Sequence, residues 1–253
     1  MIKKVLIASI AFLLLTLPQK LMAQDIGRFI KEAQQLEAAF KEKEALDKYS
    51  QVLKIQPNNI TALCKSSELN NLLGRRQSKD KQKEYYKTAV DFAQRALKVN
   101  PNSSEANFVM AMAMGRMALI SSGEEKIKAV KDIRYYAERC IQIDPANFKG
   151  YHVLGKWNFE VSDLSTLERW LVKITYGGLP KASLADAISN YEKSRQLNPR
   201  YVLNYLELAK AYKRKGDQKK AIEMLNAMMK LPNTSSDDPK IKSDGQKLLE
   251  EWK

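Results

Sequence analysis

Along most of this chain apolar residues recur at spacings of three and four, the period of an amphipathic helix. Alternating apolar and polar runs of the strand type are missing. The clearest stretch is Val202 to Ser235. Tyr205, Leu208, Ala209 and Tyr212 share one face of a first helix, which Lys215-Gly216-Asp217 breaks with Gly216 as the turn. Ala221, Leu225 and Met228 mark a second helix, and Pro232 stops it. Two such helices within 34 residues cannot bury their apolar faces alone, so copies are expected on either side.

Prolines punctuate those copies. Pro57, Pro101, Pro145 and Pro199 close the phrases LKIQP, LKVNP, IQIDP and RQLNP, each after a helix that it cannot continue. Their spacings of 44, 44 and 54 residues exceed 34, so the excess falls in loops or lengthened helices. Aromatic, Leu, small and aromatic residues on the first helix, with Ala on the second, form the tetratricopeptide pattern. The expected fold is all-α, a tetratricopeptide-type helical solenoid of about five helix-turn-helix repeats. They fall at about 26–59, 60–103, 104–147, 148–201 and 202–235, with a C-terminal capping helix over 239–252. Asp238-Pro239 starts that helix, and Ile241, Leu248 and Trp252 give it one apolar face.

Local departures refine this picture. Met110, Met114 and Met117 stand at helical spacing and read as core. The basic run from Arg75 to Lys83 reads as solvated surface leading into a longer helix. Residues 163–182 are an insert in the fourth repeat, where Leu164, Leu167, Trp170, Leu171 and Ile174 predict a short amphipathic helix ending at Gly177-Gly178. It is expected to pack over its own repeat rather than on a membrane or a partner.

The N-terminus has a different character. Lys3 and Lys4 precede an apolar run from Val5 to Leu17, and Ala23 offers a cleavage site, so residues 1–23 read as a signal peptide. The expected location is therefore exported, periplasmic or secreted, with residues 24–253 as the repeat domain. The formal net charge of +14, or +11 without Lys3, Lys4 and Lys20, favours an acidic partner: a protein or acidic peptide, with an anionic lipid as the alternative and no nucleic acid. Cys64 and Cys140 form no disulfide framework and read as small buried apolar residues.

From about Glu124 onward the chain resembles the regulator of microtubule dynamics family. The likeness rests on His152-x-Leu154-Gly155-x-Trp157, on Leu164-Ser165-x-x-Glu168-Arg169, on Tyr176-Gly177 and on Pro180-x-Ala182-Ser183. It continues through Asn198-Pro199 to Leu231-Pro232 and an acidic stretch. The resemblance implies a helical-repeat domain that binds partners, microtubules among them, and no catalysis. An export signal departs from that pattern, so the binding role is carried over and the microtubule partner is not.

Catalytic and metal chemistry find little support. A single His excludes His-Glu-x-x-His zinc motifs, and neither a Gly-rich phosphate loop nor a nucleophile elbow is present. No cofactor, metal or catalytic residue is expected. The first helices of tetratricopeptide repeats line a concave groove, which nominates Asn71, Phe108, Met112, Arg116, Lys149, His152, Lys156, Phe159, Lys210, Lys213 and Arg214 for partner binding. The expected function is a non-enzymatic binding module or adaptor, a protein-interaction scaffold of the cell envelope. The alternative is a carrier of an anionic amphiphile, its tail against Phe108, Met112 and Phe159.

Overall fold

The computed structural model describes residues 25–252, and every regular element among them is an α-helix. The first four helices are α1 (25–38), α2 (Glu42–Ile55), α3 (Ile60–Arg75) and α4 (Lys79–Val99). Next come α5 (Ser104–Ile120), α6 (Gly123–Ile143), α7 (Phe148–Ser162) and α8 (Thr166–Tyr176). The last are α9 (Leu184–Leu197), α10 (Val202–Lys215), α11 (Gln218–Met229) and α12 (Asp238–Trp252). The segment read as an export signal, 1–23, lies outside the described residues.

The proline phrases act as combined stop and start signals. Each helix ends two residues before its Pro, and the next helix begins three residues after it. Asn59, Ser103 and Asn147 stand just before α3, α5 and α7, and each side chain accepts a hydrogen bond from a first-turn N–H. Tyr201 holds the same place before α10 and makes no such bond. The extra length between prolines goes into the second helices: α4 and α6 have 21 residues each against 14 in α2.

Helices pack in sequence, α3 on α4, α5 on α6, α7 on α9 and α10 on α11, and each pair also meets the next. Gly155 sets the α7–α9 distance, because a Cβ there would stand 2.7 Å from the Tyr191 ring. Cys64 and Cys140 are free and buried in one cluster, with α5 residues Val109 and Met110 in that cluster too. At the C-terminus α12 lies on α10 and α11, with Ile241, Leu249 and Trp252 completing the last core cluster.

The insert helix departs from expectation. Leu167, Trp170, Leu171 and Ile174 are 48–64% exposed, and α8 buries no residue. Polar bonds hold the insert instead. Lys131 donates to the Tyr176 carbonyl, Arg134 to that of Lys181, and Arg169 to those of Leu164 and Val161. These tether its two ends and leave the apolar stripe facing outward.

Candidate inner-face site

The array curves far enough for its two ends to meet. Arg75 and Arg76 at the end of α3 pair with Asp237 in the α11–α12 loop, and Arg76 also reaches Glu42. Ser236 bonds to Glu42 and to Arg76. The side chains of α1, α3, α5, α7 and α10 that point inward therefore share one enclosed face.

A ladder of alternating charges runs along that face. Glu37 of α1 accepts from Lys65 of α3 at 2.8 Å, and Lys65 reaches Glu68 at 3.2 Å. Glu68 accepts from Lys149 of α7 at 2.9 Å, and Lys149 reaches Glu105 of α5 at 3.2 Å. Farther on, the buried Glu207 of α10 lies between Lys156, at 2.7 Å, and Lys210, at 3.1 Å. Burial alone raises the Glu68 carboxyl pKa, but Lys149 and Lys65 outweigh it and hold the group at about 2. Lys149, pushed down by burial, is carried above its ordinary range by Glu68 and Glu105. Glu207 and Lys156 shift the same way, burial opposed and overcome by the partner.

This pairing makes the face one of alternating charge rather than a bare basic groove. Lys156 and Lys210 do not repel each other across open space, because Glu207 bridges them. Arg214 donates to the Phe159 carbonyl and to Ser162, pairs with Asp163, and lies over the Phe159 ring. Lys213 bonds to Gln218 and covers Trp252 of the capping helix. Glu68 and Glu207 were legible as partners three residues from Lys65 and Lys210, the spacing of neighbours on a helix face. Glu105 and Asp237 left no such local signal.

Three further nominated residues are buried rather than lining an open groove. Asn71 donates to the Ser67 carbonyl one helical turn back. His152 meets the Asn204 amide oxygen through Nδ1 at 2.9 Å, and Asn204 donates onward to the Tyr191 carbonyl. Burial lowers the His152 pKa, so the ring is neutral and structural. Phe108 is 5% exposed, with the Lys149 ammonium 4.7 Å from its ring centroid. Since Phe159 likewise lies beneath Lys156 and Arg214, the proposed amphiphile tail site is roofed by cations. Met112 is partly buried against the core.

Arg116 differs from every other nominated cation. It makes no ion pair or hydrogen bond among the described residues, and its Nε is buried without a partner. Met110 lies in the core cluster and Met114 packs against it, and with Met117 they also border a cleft of about 430 Å³ between α4 and α6. No group of three or more His, Cys, Asp or Glu suited to a metal ion occurs among the described residues. No helix among them is long and apolar enough to cross a membrane.

Comparison with known proteins extends the resemblance beyond the C-terminal half. The family described as regulator of microtubule dynamics protein 1-3 matches residues 29–253. Regulator of microtubule dynamics protein 1 of Caenorhabditis elegans is 27% identical over 160 residues, 63% of this chain and 71% of that protein. Regulator of microtubule dynamics protein 3 of Rattus norvegicus is 24% identical over 173 residues, 68% of this chain but only 37% of the rat protein. A thermophilic tetratricopeptide protein of Thermus thermophilus superposes with a TM-score of 0.64 at 14% identity, covering 88% of this chain and 98% of that one. The fold is thus a tetratricopeptide-type solenoid. The relatives also correct the expected location. They are named as regulators of microtubule dynamics, and the exported, periplasmic or secreted assignment is withdrawn.

Proposed function

The chain belongs to the regulator of microtubule dynamics protein 1-3 family, and from that premise we propose that it is a non-enzymatic adaptor. It holds a protein or acidic-peptide partner along the inner face of its solenoid. One observation carries this reading: helices from all parts of the chain turn charged and aromatic side chains onto one enclosed face. Those side chains are already oriented by Glu68, Glu105 and Glu207, so a partner meets a face whose ordering cost is largely met before binding. The relatives are named for microtubule dynamics, and a cytoskeletal protein is one partner class that the reading admits.

Site-directed photocrosslinking tests the face. A photoreactive amino acid replacing Lys210, on the inner side, is expected to capture partner protein from cell extract. The same group replacing Lys98, exposed at the end of α4, is expected to capture none. Capture from Lys98 alone would move the binding surface to the outer helices and overturn the proposal.

A further inference from the structure

The insert helix presents a surface that the repeats leave unused. Its partly buried positions are Arg169, Val172 and Tyr176, spaced three and four apart, and they form the side turned toward the protein. Leu167, Trp170, Leu171 and Ile174 occupy the opposite side, 64, 55, 48 and 64% exposed. A row of large apolar side chains kept in water along one helix face, with a Trp among them, marks a contact surface rather than a stray exposed residue. The apolar surface continues past the helix. A Cβ on Gly123 would stand 3.5 Å from the Tyr176 hydroxyl, and Leu119 and Ile120, 71 and 36% exposed, end α5 just before Gly123.

The bonds of the insert sort the charges around this stripe. Asp163 pairs with Arg214, the Glu168 carboxylate accepts from Ser165, and Arg169 donates to the Leu164 and Val161 carbonyls. Lys173 and Lys181 are exposed, and neither ammonium has an ion-pair or hydrogen-bond partner among the described residues. Lys173 lies three residues from Trp170, the spacing of neighbours on a helix surface. At the far end the first turns of α6 carry Glu124 and Glu125 followed by Lys126 and Lys128, which balance. The charge left free on the insert is therefore positive, as is the chain as a whole at +14.

We propose that α8 docks on the surface of a bilayer containing anionic lipid. Its apolar stripe enters the boundary between headgroups and acyl chains, and Lys173 and Lys181 meet lipid phosphates. A second copy of the chain fits less well. Four half-exposed side chains offer on the order of 400 Å², about half of what each partner buries in a stable protein interface. The stripe is also convex, a single helix tethered at its ends, and a fluid bilayer closes around such a ridge without a matching groove. No helix among the described residues can span a membrane, so the contact lies on the surface. A stripe of 11 residues with two free lysines gives reversible association rather than a permanent anchor. The surface shares no residue with the charge ladder of the inner face, so either can operate without the other.

The test uses the full chain and two sets of vesicles, one of phosphatidylcholine alone and one of phosphatidylcholine mixed with phosphatidylglycerol. Co-sedimentation reads binding, and tryptophan emission reads its location, because Trp157 and Trp252 are buried and Trp170 is exposed. The mixed vesicles are expected to sediment the protein and to shift the emission to shorter wavelength, and the neutral ones to bind at least about tenfold more weakly. Leu171→Ser with Ile174→Ser is expected to lower binding to mixed vesicles at least about tenfold. Its melting temperature should stay at the native value, since both side chains are already in water. Lys173→Gln with Lys181→Gln should weaken binding to mixed vesicles and leave the residual affinity for neutral ones unchanged. Absence of sedimentation with both vesicle types would overturn the proposal, as would equal binding to both. Sedimentation of the Ser variant as strong as that of the native protein, with unshifted emission, would place the membrane contact elsewhere and reject α8. A dimer in analytical ultracentrifugation that the Ser substitutions dissolve, without vesicle binding, would assign the stripe to a second copy and reject the bilayer.

Discussion

Glu68 joins α3 to α7 through Lys149, 81 residues away in sequence, and its ionisation ties stability to pH. The carboxyl titrates at about 2 in the fold against an ordinary value of 4.5. Its folded pKa is the lower one, so the unfolded chain binds the extra proton between these values. The stabilisation is therefore complete above about pH 5 and is lost as pH falls from 4.5 toward 2. A shift of this size corresponds to about 3.4 kcal/mol at most. Glu68→Gln should cost roughly 3 kcal/mol at pH 7, because it strands Lys149 and Lys65 with fewer partners. Its melting temperature should also fall less between pH 5 and pH 3 than that of the native protein. Equal acid sensitivity in calorimetry would show that the ladder does not govern the acid limb. Gly155 acts through volume instead. A Leu there meets the Tyr191 ring and should destabilise the fold by at least about 1–3 kcal/mol by denaturant titration, and an unchanged midpoint would contradict the observed α7–α9 approach.

Among the elements, α8 is the one whose loss should matter least to global stability. Its Ser165 side chain caps Glu168, and the Glu168 carboxylate returns to the Ser165 N–H, so both ends of a capping box are in place. Yet the helix contributes no buried residue to the core. Ser165→Ala should cost the helix about 1 kcal/mol. Hydrogen exchange is therefore expected to speed up across Thr166–Tyr176 while the melting temperature of the whole protein barely moves. A drop as large as that of Gly155→Leu would mean that α8 supports the repeats around it. The second helices divide in the same way: in α4 and α6 the first buried residues are Tyr86 and Ala129, so the turns before them are held by no core contact, while the stretches that carry Ala93 and Cys140 are locked.

Viewed whole, a solenoid is a chain of nearest-neighbour contacts whose ends normally do not meet. Here Asp237 joins Arg75 and Arg76 across 161 residues, and Glu42 joins Ser236 across 194. This contact ties the start of α2 and the end of α3 to the α11–α12 loop. Asp237→Arg would oppose two guanidinium groups with a third. Small-angle scattering is then expected to show a larger radius of gyration, and exchange protection in α2 should fall. Identical scattering curves would show that helix packing alone sets the curvature.

Much of this was readable along the chain. The period of three and four placed the helices, and the proline phrases marked where they stop, because backbone geometry and capping act within a few residues. The close approach at Gly155 and the missing disulfide were legible too, one from a small residue at the helix contact and the other from the number of cysteines. The partners of the charges were not legible. Helical periodicity assigns a lysine to a face, but which carboxylate meets it depends on the curvature summed over all repeats. That curvature brings Lys149 to Glu68 and closes Arg76 on Asp237. Electrostatic partners are chosen by distance through space, and only the packed array sets those distances.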